Sequence, residues 1–276
     1  MTDDTLVERA DGLVTFTLNR PQKKNAINGP MWAGLTAVLD EVYHNPDDRA
    51  LLITGAGGNF SAGADMSGGA VAQAKDGDAP KRQTGLSGQG SMQAIVHEMR
   101  IVGEIIRRLH RLPKPTLAVV DGVAVGVSLG LVLACDLVVA SDRARFAEIF
   151  VKRGLALDGG NSWTLPRAVG LRRAKQMAFF GDMVSAADAE AWGLINEVVP
   201  AADLEKTGQD WGRRLANAPT TAISLIKRQL DDSASLTFEQ AVEVEAAAQH
   251  ITYTTADAQE GILSFLERRD PRFTGK

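Results

Sequence analysis

Asp158 stands in Gly154-Leu155-Ala156-Leu157-Asp158-Gly159-Gly160, a run of apolar and small residues that would keep water from its carboxyl group. Burial of that kind raises a carboxyl pKa toward the range where it serves as a general base near neutrality. An aspartate ahead of a helix is also a favoured cap, so both readings of Asp158 stand. Two further stretches offer backbone chemistry. Asn59-Phe60-Ser61-Ala62-Gly63-Ala64-Asp65 follows the apolar run 50–54, and Asp121-Gly122-Val123-Ala124-Val125-Gly126-Val127-Ser128 follows the run 115–120. In each, a buried strand runs into small residues whose bare peptide N–H groups can meet a ligand oxygen. The two units aim such donors at one place.

Elements of ordinary pattern must hold these groups. Residues 6–18 alternate around Asp11-Gly12 and predict a β-hairpin. Pro30 suits the first turn of a helix to His44, with Leu35, Val38, Leu39 and Val42 on one face. Strands are expected at 50–54, 115–120, 137–140 and 145–147, with apolar residues 129–135 between the second and third. Residues 67–91 show no period and read as a flap over the site rather than a linker. An amphipathic helix then spans 92–112, closed by Pro113 and Pro115. Further helices fit the stretch through Trp163 and Leu165, then 171–180, 185–192, 202–217, 219–231, 237–250 and 256–268. Hairpin, helix and strand in alternation predict an α/β layer structure.

Composition narrows the function. A net charge of −4 over 276 residues argues against a nucleic-acid or anionic-membrane partner. The single cysteine, Cys135, excludes an intrachain disulfide and any multi-cysteine metal site, and its apolar surroundings predict an inert thiol. His44, His110 and His250 have no metal-ligand spacing, so no metal is expected. The acidic start, without a following apolar stretch, and the absence of an uninterrupted membrane-length run lead to a cytoplasmic expectation.

Taken in order, these residues resemble the crotonase (enoyl-CoA hydratase/isomerase) superfamily. The resemblance rests on Asn19-Arg20-Pro21 with Asn25-Ala26, the run from Gly55 to Asp65, and Lys114-Pro115 through Ala124. It continues in Ala134-Cys135-Asp136-Leu137, Leu165-Pro166-Arg167-Ala168-Val169-Gly170 and Ala187 through Ile195. It implies a spiral of ββα units over 1–200 and a helical C-terminal region over 201–276, packed on the core or on a neighbouring subunit. It also implies a homotrimer or dimer of trimers and an acyl-CoA thioester substrate, CoA entering as part of that substrate with no separate cofactor. The resemblance assigns an oxyanion hole to the N–H groups of Ala62 and Val127, the latter reinforced by a helix starting there. CoA contacts would come from Arg20, Lys23, Lys24, Ala26 and the backbone of Ala62, Gly63, Ala64, Asp65 and Met66. Trp163 would line the acyl pocket or the core.

One departure bears on the reaction. Relatives that hydrate a double bond use two glutamates, and the register puts Gly130 and Phe150 at those places; neither transfers a proton. Glu148, two residues away, would face the same side in an alternating segment. Asp158 is the replacement, since the segment 154–163 is similar to an isomerase branch in which an aspartate acts on the acyl chain. It is also similar to a dehalogenase branch, but that branch uses a histidine where this chain has Arg107. His97 and Glu98, on the helix after the flap, are lesser candidates. The expected activity is double-bond isomerisation, with hydration at a non-standard site or silent acyl-CoA binding as alternatives.

Overall fold

The computed structural model describes residues 4–66 and 92–276, and the flap expected at 67–91 lies outside them. The chain opens with β1 (Thr5–Ala10) and β2 (Leu13–Leu18), antiparallel with Ala10 opposite Leu13. Asp11 and Gly12 between them both take positive φ, 50° and 80°, the twist that a two-residue hairpin turn needs. Helix α1 (Gly29–His44) starts where the Asn28 side chain accepts the Met31 N–H, 3.0 Å away. Its Met31, Leu35, Val38, Leu39 and Val42 are buried, which is the predicted face.

Then follow β3 (Ala50–Gly55), α2 (Met92–His110), β4 (Thr116–Val120), β5 (Val123–Val125), α3 (Val127–Ala134), β6 (Leu137–Ser141) and β7 (Arg145–Ala147). The chain continues through α4 (Asn161–Phe180), β8 (Val184–Ser185), α5 (Ala186–Ala191), β9 (Glu197–Val199), α6 (Leu204–Ala216), α7 (Thr220–Ser233), α8 (Phe238–Tyr253) and α9 (Ala256–Glu267). One sheet has the order β1-β2-β3-β4-β6-β9, parallel from β2 onward, and a smaller one the order β5-β7-β8. Strands β5, β8 and β9, of two or three residues each, were not anticipated, whereas the equally short β7 was. The two helices expected, one through Trp163 and Leu165 and one at 171–180, form one span broken in conformation at Gly170 (φ 76°).

Both faces of the larger sheet are covered. Leu51 and Ile53 of β3, Ala118 and Val120 of β4, and Val138 and Ala140 of β6 join the main core, together with α1, α2 and α3. The alternate residues Ala50, Leu52, Leu117, Val119 and Val139 pack with Leu204 and Ala216 of α6 on the other face. No helix among the described residues is long and apolar enough to cross a membrane.

Candidate active site

The loop 59–65 is held as an extra strand between two parts of the chain. Ser61 donates its N–H to the Val123 carbonyl (2.8 Å) and Ile27 donates to the Gly63 carbonyl (2.8 Å), bridging the loop to β5 on one side and to the segment before α1 on the other. Asn25, fully buried, adds side-chain bonds to the carbonyls of Ala56 (2.8 Å) and Asn59 (2.7 Å). Gly63 takes φ 90°, and a side chain there would meet the Val125 carbonyl oxygen at 2.9 Å. The loop and the start of α3 are thereby fixed to one another. Ser128, also fully buried, reinforces this: its hydroxyl accepts the Val125 N–H (2.8 Å) and lies 2.8 Å from the carbonyl oxygens of both Ser61 and Val125.

The structure corrects one of the two expected donors. Ala62 already donates its N–H to the Lys24 carbonyl at 2.9 Å, so it has no proton left for a ligand. In the parallel bridge between Ile27 and Ala64, the bonds run through the Gly63 carbonyl and the Asp65 N–H, which turns the N–H of Ala64 to the opposite side. Val127 stands as expected at the first position of α3, where helical N–H groups have no partner inside the helix. Ala64, Val127 and Asp158 share one cleft of about 590 Å³. Its walls are Ile27 and Trp32 from the α1 side and Met99, Val102 and Ile105 from α2. Met99, Val102 and Ile105 are legible in the sequence as an apolar helix face; which residues border a cleft depends on how α1 and α2 pack.

Asp158 does not cap α4. That helix begins at Asn161 with Gly160 at its cap and no side-chain bond, and Asp158 Oδ1 is buried without a partner among the described residues. Burial pushes its carboxyl up to about 6. Gly130 explains how the loop carrying Asp158 comes so close. A side chain at 130 would strike the Gly159 carbonyl oxygen at 2.5 Å, and Gly159 itself rests against Val127. The space that a glutamate at 130 would need is filled by the backbone next to Asp158.

Glu148 follows β7 and is completely buried, both carboxyl oxygens unpartnered among the described residues. Burial, and then the charge of Asp158, push it up to about 8. Phe150 is also buried, in the short 3-10 turn Ile149–Arg153. Asn161 completes the cluster, its Nδ2 donating to the Gly126 carbonyl (3.3 Å) while Oδ1 is unpartnered among the described residues.

Other expected site residues lie elsewhere. Arg20 is turned inward, donating to the Ala26 carbonyl (2.7 Å) and to Asp65 (2.9 Å), so its guanidinium braces the loop instead of facing a phosphate. Lys23 and Lys24 are exposed on the neighbouring segment 21–26, near the half-buried Ala26, and Met66 is exposed just after the 59–65 loop. Trp163 belongs to a second groove, between α4 and α7, with the Arg167 guanidinium 3.8 Å over its ring and His110 edge-on at 5.2 Å. It is therefore absent from the lining of the Asp158 cleft. Glu98 borders that cleft, whereas His97 is exposed. Arg107 is exposed and paired with Glu104. Cys135 is buried, its thiol pushed up to about 12 by desolvation and then by Asp136, which makes it inert.

A family model, enoyl-CoA hydratase/isomerase, matches residues 8–276. The chain belongs to that family. It is 37% identical to the 1,2-epoxyphenylacetyl-CoA isomerase of Escherichia coli (strain K12), over 96% of each chain. It is 34% identical to a protein of Rhodobacter capsulatus described as a probable enoyl-CoA hydratase, over 98% of this chain and 97% of that one. The crystal structure of an enoyl-CoA hydratase from Mycobacterium smegmatis superposes with a TM-score of 0.85 at 28% identity, covering 98% of each. The fold of this enoyl-CoA hydratase/isomerase family member is thus the crotonase fold, and relatives bear both hydratase and isomerase names.

Proposed function

We propose that this chain isomerises the double bond of an enoyl-CoA thioester, with Asp158 carrying the proton between two carbons of the acyl chain. One observation carries the reading: Asp158, whose buried Oδ1 has no partner among the described residues, borders an apolar cleft that also presents Ala64 and the first residue of α3. In this reading the thioester oxygen lies between the N–H groups of Ala64 and Val127. As the α or γ carbon loses its proton to Asp158, negative charge moves onto that oxygen. Preorganised donors meet it there, and one such donor is typically worth about 3 kcal/mol of barrier. The partial positive charge at the start of α3 acts in the same direction. Asp158 then returns the proton to the other carbon, so nothing is gained or lost overall. Lys23 and Lys24, exposed beside this loop, are the cations proposed for the CoA phosphates. A trimer or dimer of trimers is the proposed assembly.

Replacement of Asp158 tests the reading. Asp158→Asn, assayed on a 3-enoyl-CoA, should lower kcat by about 10³-fold or more while acyl-CoA affinity stays within a few-fold. Retained turnover in that variant overturns the assignment. Crotonyl-CoA separates the alternative: wild-type hydration of it, followed as loss of conjugated absorbance, at a rate matching isomerisation would establish a hydratase instead.

A further inference from the structure

Three buried carboxylates invite comparison. Asp48 is met by Arg9 (3.4 Å), and Asp257 accepts the N–H groups of Thr274 (2.6 Å) and Gly275 (2.8 Å). Glu148 is the most deeply buried of the three, at 0% exposure, and has no such partner among the described residues. A buried acceptor without a donor is costly, and an unpaired buried anion far more so.

The backbone brings Glu148 beside the start of α3, whose first residue borders the cleft. The Gly126 N–H donates to the carbonyl of Ala147 (2.9 Å), so the next residue, Glu148, runs beside the entry to α3. Across that entry, Asn161 donates its N–H to the Asp158 carbonyl (3.2 Å) and its side-chain amide to the Gly126 carbonyl (3.3 Å). The segments that carry Glu148, Asp158 and Asn161 thus converge at Gly126, and each of the three side chains has a buried oxygen that is unpartnered among the described residues. A proton on Glu148 supplies this group with a donor.

We propose that Glu148 is a positioning residue for the reaction: a neutral carboxylic acid that donates its O–H to the Asp158 carboxylate, directly or through one water, and so holds that carboxylate at the cleft. The proposal rests on the isomerase reading above. The upward shift of Glu148 to about 8 keeps this proton in place at neutral pH, while Asp158, at about 6, is the member that ionises. Asp158 is the charged group whose field reaches Glu148. Lys152, on the turn after it, is directed onto Asp182 (3.0 Å), and Arg145, on β7 before it, is exposed.

The test compares wild type, Glu148→Gln and Glu148→Leu in pH–rate profiles on a 3-enoyl-CoA, with infrared spectra of the free enzymes. Gln keeps a donor but cannot ionise; Leu removes the donor at every pH. Wild-type kcat should decline above pH about 8. Glu148→Gln should keep kcat within about threefold at pH 7 and lose that decline, and Glu148→Leu should lose about tenfold or more in kcat with KM nearly unchanged. The wild-type spectrum at pH 7 should contain a protonated-carboxyl stretch that Glu148→Gln lacks. An unchanged alkaline decline in Glu148→Gln, or equal activity in the Gln and Leu variants, overturns the role. Absence of the infrared band overturns the neutral acid itself, whether or not Leu folds. The band present in an enzyme that isomerises no 3-enoyl-CoA would instead overturn the isomerase reading, and with it the service to Asp158.

Discussion

Asp158 must be ionised to take a proton, and burial alone raises it to about 6. The sign follows directly: above that pH the carboxylate is present, and below it the base is lost. The value of kcat/KM for a 3-enoyl-CoA should therefore fall about tenfold per pH unit below about 6, flattening above it. A profile flat down to pH 4.5 would mean that another group acts as base. Asp158 was legible in the sequence as a carboxylate among apolar and small residues, although Leu155 and Ala156 beside it are exposed and the loop is instead packed against α3 through Gly159. The donor at 64 was not legible. Residues 62 and 64 are both alanines flanking Gly63, and only the bridge to Ile27 and the bond from Ala62 to Lys24 decide which N–H is available. Glu148 was read two residues from an expected position. Its burial beside Asp158 depends on the chain leaving β7 and tightening into a 3-10 turn, where strand alternation no longer applies.

At the scale of elements, close packing gives several glycines their meaning. Gly130 lets the loop before α4 lie against α3, so Gly130→Glu should fail to create a two-glutamate hydratase. Instead it should displace the loop at Gly159 and lower isomerase kcat by about 10-fold or more through misplacement of Asp158. Rates on crotonyl-CoA and on a 3-enoyl-CoA check both halves of this expectation. Gly208 and Gly212 do comparable work on the far face of the sheet. A side chain at 208 would meet Val119 Cγ2 at 2.7 Å, and one at 212 would meet Leu13 Cδ2 at 2.7 Å. Gly208→Ala should consequently cost about 1–3 kcal/mol in urea unfolding despite its better helix propensity, with KM unchanged. The lengths of α1, α2 and the C-terminal helices were readable from apolar period, and the hairpin from Asp11-Gly12. The break at Gly170 agrees with the two helices expected on either side of it, whereas the strands β5, β8 and β9 were not readable, since their pairing partners are distant in sequence.

For the whole molecule, the C-terminal segment is tied to the start of the sheet. Arg49 donates to the Ala218 carbonyl (2.6 Å), to Thr220 (3.1 Å) and to the Phe273 carbonyl (3.0 Å), while Asp257 holds Thr274 and Gly275. Helices α8 and α9 nevertheless leave large apolar side chains outside, with Phe238 79% and Phe265 81% exposed. Surfaces of that kind commonly join subunits, which fits the proposed trimer. Phe265→Glu should then shift the chain toward a single-subunit mass in light scattering; an unchanged assembly mass would place the interface elsewhere. The sequence by itself determined the α/β class, the succession of strands and helices, the family and the carboxylate set in an apolar loop. Those properties follow from local period, turn chemistry and motif order, all carried by neighbouring residues. Tertiary structure alone decided that Ala64 rather than Ala62 faces the cleft, that Arg20 is spent on Asp65, that Trp163 lies in another groove, and that Glu148 is buried within reach of the charge of Asp158. Each depends on how distant segments converge, and a one-residue turn of backbone there changes which group is free to react.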